Sequence, residues 1–217
     1  MKIRYLGFLF TALLICAAFC GIAAAAECPP EAPDAEPLFE IDNFFMGKLD
    51  GDLVMFFQNH EGGKDIRLTL DKQQASELLS YALKARDAAP GMNPFAPLGD
   101  AQVPKPHRPM EPLLLNTSDG QTLWAHVVGR DYRNGSFFAD FLLAPAGSDN
   151  SPDSRYMLKL TIYETPPTYP EEGIIIDKET GLPAEQPAPP TPRWGEEFTR
   201  FLSALQDFMG SKVLIFG

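Results

Sequence analysis

The chain has 217 residues, 45% of them hydrophobic, and a formal net charge of −11 at pH 7. That acidity argues against a nucleic-acid partner and against adhesion to anionic lipid, because both select basic surfaces. With only 3 cysteines, a small disulfide-stapled scaffold is excluded as well.

The first segment reads as a targeting signal. Lys2 and Arg4 form a short basic region, residues 5–22 are apolar, and residues 23–26 are alanines that offer an Ala-x-Ala cleavage site. Cleavage after Ala26 predicts an exported protein, periplasmic or extracellular, with no stable membrane insertion once the signal is gone. Cys16 and Cys20 leave with the signal. Cys28 then remains as a lone thiol, open to an intermolecular disulfide and to none within the chain. Residues 27–37 carry 4 prolines and 4 acids and read as a disordered tether. Residues 38–217 are of a length for a single domain, the usual range being about 100–200 residues.

That domain opens with a hairpin, residues 38–49 and 52–58, across Asp50-Gly51, with Phe44, Phe45, Phe56 and Phe57 assigned to the core. Residues 64–70 alternate as a strand and lead straight into a helix. Asp71 and Gln74 have the spacing of a capping box, and Ala75, Leu78, Leu79, Ala82 and Leu83 form its apolar stripe up to Pro90-Gly91. Residues 90–112 hold 7 prolines, too many for a helix or a paired strand. This loop presents Met92, Phe95, Leu98 and Met110 as apolar teeth for a partner.

Residues 113–164 form the centre of the reading, a run of antiparallel strands turning at Asp119-Gly120 and Asn134-Gly135. Two-residue turns at these dipeptides set Ser118 opposite Gln121 and Arg133 opposite Ser136. Counting outward puts Leu113, Leu115, Trp124, His126, Val128, Tyr132, Phe137, Ala139, Phe141 and Leu143 on a core face. Asn116, Gln121, Asp131 and Asp140 fall on the other, mixed face. Residues 155–164 alternate, with Tyr156, Leu158, Leu160 and Ile162 inward. A second proline-rich loop, residues 165–192, contains a short apolar strand at 173–176. The last helix is predicted to start at Thr191 as cap and Pro192 as first residue, with an apolar stripe from Trp194 through Phe198, Phe201, Leu202, Leu205 and Phe208 to Met209, and to stop at Gly210. Residues 212–216 complete the chain as a strand.

The class expected is therefore α+β, a mainly antiparallel sheet of about seven to nine strands with two amphipathic helices packed on one face. Chemistry is sparse. The 3 histidines fall in none of the metalloprotease, Walker, dinucleotide or nucleophile-elbow patterns. His126 reads as a core histidine on the face away from Asp140. His60-Glu61 sits at a loop tip, and Asp149, Ser151 and Asp153 imitate a calcium loop but lack its glycine and its bidentate glutamate. No catalytic, cofactor or metal residue is assigned. The reading leans away from an enzyme and toward a non-catalytic exported module that binds a protein or envelope component. Its expected surface comprises Asn116, Gln121, Asp131, Asp140, Met92, Phe95 and Met110. A small hydrolase using loop histidines His60 or His107, and a small-ligand carrier, are the alternatives.

Overall fold

The computed structural model describes residues 34–59, 62–93, 110–132, 135–166 and 191–210. From Ala35 onward these residues belong to one unit. It is α+β, with two antiparallel sheets of four and five strands and two helices.

The first sheet is a simple meander of β1 (Glu36–Ile41), β2 (Phe44–Leu49), β3 (Asp52–Phe57) and β4 (Ile66–Leu70). β1 starts at Glu36, inside the stretch read as a tether. The first hairpin of the sequence reading is in fact two successive hairpins, one closed by Asp42 at φ 44° and the next by Asp50 and Gly51 at φ 52° and 95°. At the latter, Leu49 opposes Asp52 across a two-residue loop, and the two positive φ values are those of a type I′ turn. Alternation then separates the phenylalanines assigned together to the core. Phe44 pairs with Phe57 on the buried face, whereas Phe45 pairs with Phe56 on the outer face, where both are half-buried.

Helix α1 (Lys72–Ala88) begins where expected, with the Asp71 carboxylate accepting from the Gln74 amide and the Gln74 side chain accepting from the Asp71 amide, each at 2.8 Å. The chain then passes through a 3-10 turn (Ala89–Met92). The second sheet follows as β5 (Leu113–Asn116), β6 (Thr122–Asp131), β7 (Phe137–Pro145), β8 (Leu158–Thr165) and the two-residue β9 (Arg193–Trp194). A meander followed by a helix thus occurs twice among the described residues.

Helix α2 spans Glu196–Met209 and begins four residues later than predicted. Thr191 and Pro192 are a plausible local start, but the Gly195 amide donates to the Ile162 carbonyl at 2.9 Å and Arg193–Trp194 pair with β8. Strand pairing therefore overrides the local cap signal. Trp194 leaves the helix stripe and stands 47% exposed on the sheet edge, its ring edge-on to Tyr163. Gly210 ends α2 in the left-handed region at φ 68°, as expected. The strands read at 173–176 and 212–216 lie outside the described residues.

Both helices and the inner faces of both sheets share one apolar core. Phe201 joins its parts, with its ring 5.7 Å from Phe39 on β1 and 5.7 Å from Phe141 on β7. Phe198 and Tyr81 complete the ring of aromatics around Phe141.

Candidate functional site

The position of the second sheet's side chains depends on two turns, and both differ from the sequence reading. Thr117, not Ser118, opposes Gln121: the Thr117 amide donates to the Gln121 carbonyl at 3.0 Å and the Gly120 amide to the Thr117 carbonyl at 3.0 Å. Tyr132, not Arg133, opposes Ser136, with the same two bonds at 2.9 Å. Gly120 and Gly135 take φ 81° and 78°. These are three-residue loops with glycine in the left-handed position, the common alternative to the two-residue turn. Each adds one residue, so β6 alone is turned over relative to β5 and β7.

The core face therefore holds Leu123, Ala125 and Val127, paired with Leu115, Leu143 and Phe141 among others. Trp124, His126 and Val128 move to the outer face. His126 shares that face with Asp140, contrary to the expectation, as Leu142 and Asp140 oppose His126 and Val128. His126 is half-buried beside Trp124, ring centroids 5.5 Å apart, and its Nδ1 has no hydrogen-bond partner among the described residues. Burial holds its imidazole below the ordinary histidine value.

Of the four polar residues assigned to the mixed face, Asn116 and Asp140 are there. Gln121 and Asp131 belong to the other alternation of β6, Asp131 at its exposed end opposite Phe137. Gln121 and Asn116 are also occupied structurally. Gln121 Nε2 donates to the Arg67 carbonyl at 2.7 Å, Gln74 Nε2 donates to the Asn116 carbonyl at 2.7 Å, and the Asn116 side chain accepts from Thr122. Asp140 pairs across from Val128 and Asn116 across from Thr122, about 20 Å apart along β6 at roughly 3.4 Å per residue. They do not form one site.

Asp140 is the centre of a different cluster. Its side chain is fully buried, ion-paired to Arg130 and, at 3.6 Å, to Lys159, while Thr161 donates to its other oxygen at 3.1 Å. The two cations remain 39% and 45% exposed. Arg130 also lies over the Tyr132 ring at 5.9 Å, and Tyr132 stacks edge-on to Phe138. Arg130 and Lys159 escaped the sequence reading. The available signal was Arg130 itself, which falls in the same alternation as Trp124 and His126 and so contradicts a core assignment for that set.

Met92 and Met110 are not exposed teeth; both are partly buried and pack against the core. Phe95, Leu98, His60, His107 and Cys28 lie outside the described residues. The carboxylates of the calcium-like stretch are turned to their own neighbours. Asp149 accepts from the Ser151 hydroxyl at 2.6 Å and Asp153 pairs with Arg155 at 2.6 Å, and these contacts hold both acids below the usual carboxylate range. Neither a family model nor a curated protein matches this chain.

Proposed function

We propose that the chain is an exported, non-catalytic α+β module that binds a protein or envelope component through the outer face of its second sheet. The observation that carries this reading is the placement of exposed apolar surface. The exposed large hydrophobic residues among those described are Leu114 on β5, Tyr132 just past the end of β6 and Trp194 on β9, so all three lie on or beside the second sheet. Leu114 and Tyr132 fall in the outer alternation with His126 and Arg130, toward opposite ends of β6, and Trp194 stands at the β9 edge opposite Tyr163. Exposed apolar groups with charged residues beside them are the usual composition of an interaction surface. The signal-like segment at residues 1–26 supports export.

The test is retention of an envelope component by the immobilised protein, compared with a Leu114→Ser, Tyr132→Ala double variant. Both side chains are about half exposed (46% each), so the melting temperature is expected to stay within a few degrees while retention falls. Equal retention by both proteins overturns the assignment of this face. A His60→Ala or His107→Ala change that abolishes hydrolysis of a substrate at unchanged melting temperature would instead establish the hydrolase reading.

A further inference from the structure

We infer that the outer face of β6, β7 and β8 recognises an acidic peptide segment, with carboxylates received by Arg130 and Lys159; this rests on the binding-module reading above. In a chain whose acids exceed its bases by 11, this face runs the other way. Together with the adjoining β9 it carries Arg130, Lys159 and Arg193 against Asp140 and Glu164, and Asp140 is wholly buried. One carboxylate between Arg130 and Lys159 leaves a positive charge uncompensated at the centre of the face.

The cations are also held in place. Asp140 takes the guanidinium through Nη2, its Nε is buried, the Nη1 donors are left for a ligand, and the Tyr132 ring supports the group from the side. Lys159, at 3.6 Å, is paired without a hydrogen bond, so its ammonium donors are uncommitted to Asp140. Preorganised donors lose less entropy on binding than free surface side chains. A free oxyanion would meet only two half-exposed cations, an arrangement worth little in water. A peptide adds burial of Tyr132 and of the half-buried Phe138 and Leu142 on the same face, and that apolar contact favours it as the occupant.

The experiment uses fluorescence anisotropy with the purified protein and a labelled peptide alternating glutamate with leucine and phenylalanine, beside its glutamine counterpart. The glutamate peptide is expected to bind at least about tenfold more tightly, with the preference weakening as salt rises. Lys159→Gln, which changes a half-exposed side chain, should abolish the preference without changing the melting temperature. Arg130→Gln should do the same if it folds, and the Lys159 variant decides if it does not. Equal binding of the two peptides, or an intact preference in Lys159→Gln, overturns the inference. So does binding to phosphatidylglycerol vesicles without binding to the peptide. Retention of an envelope component that is unaffected by Lys159→Gln but lost in the Leu114→Ser, Tyr132→Ala variant overturns the acidic-peptide assignment while leaving the module reading intact.

Discussion

The two sheets have the same meander order but finish their surfaces differently. On the first sheet the outer Phe45 is drawn down onto the backbone: a Cβ added at Gly47 would lie 2.8 Å from the Phe45 ring, so that glycine makes room for the aromatic side chain. Its edges are closed too. β1 carries Pro37, an irregular register at Pro37/Phe39 and the acids Glu36 and Glu40, all devices that discourage strand addition. The carbonyls of β4 are taken by the second sheet, Arg67 by Gln121 and Thr69 by the amide and hydroxyl of Ser118. The second sheet has one edge covered, where Gln74 and Tyr81 of α1 reach the carbonyls of Asn116 and Glu111, yet it leaves Leu114, Tyr132 and Trp194 in solvent. The contrast teaches that one sheet uses its polar and aromatic groups for closure, while the other leaves large apolar side chains exposed among the described residues.

The sheets nevertheless stand on one core, and the largest expected effect tests that. Phe201→Ala removes the ring touching both Phe39 and Phe141 and should cost about 3–5 kcal/mol, observed as one cooperative urea transition moved to lower concentration. Two separated transitions would show that the sheets unfold independently. Next is the asymmetry of the buried acid. Arg130→Met leaves Asp140 buried with its weaker partner and should cost about 3 kcal/mol, whereas Asp140→Asn leaves two cations that already reach water and should cost about 1 kcal/mol. Equal losses in chemical denaturation would mean that Arg130 is not what makes the buried carboxylate tolerable.

Gly195→Ala should cost about 1–3 kcal/mol, because an added Cβ would overlap the Thr161 carbonyl oxygen and lift β9 and the start of α2 off β8. A chain that tolerates alanine there without loss in a thermal melt would not hold this close approach. On the first half of the molecule, Asp71→Ala removes the helix cap and should cost about 1 kcal/mol, detected by the same melt. The smallest effect concerns pH. The His126 pKa is lowered by burial, so between its folded value and about 6.5 the unfolded chain binds more protons. Stability should decline as pH falls below that upper value. His126→Gln should flatten this part of the profile, and an unchanged slope would assign the pH dependence to other groups.

Local signals were reliable where the chain talks to itself. Asp71 and Gln74, the αL stop at Gly210 and the alternation of residues 66–70 are settled by neighbours a few residues away, and the structure has them as read. The candidate site was less legible. Asn116 and Gln121 looked like unused polar groups; the Asn116 carbonyl is taken by Gln74 of α1 and the Gln121 side chain ties the second sheet's turn to Arg67 of β4, partners 42 and 54 residues distant in sequence. Asp140 was singled out, but not the cations that make sense of it, because Lys159 reaches it from a separate strand.

The sequence by itself determined that the chain makes hairpins at its Asx-Gly dipeptides, two amphipathic helices, the capping box of the first and the glycine stop of the second, and an α+β fold. Only the tertiary structure decided which way β6 faces. A glycine at positive φ serves a two-residue and a three-residue loop equally well, so Asp50-Gly51 and Asp119-Gly120 look alike in sequence and close differently. At the second turn the choice is made by contacts far along the chain, Ser118 on Thr69 and Gln121 on Arg67. The burial of Leu123, Ala125 and Val127 fits the same register. A strand with side chains of period two has no intermediate setting, and that single residue of loop length sends Trp124, His126 and Arg130 outward.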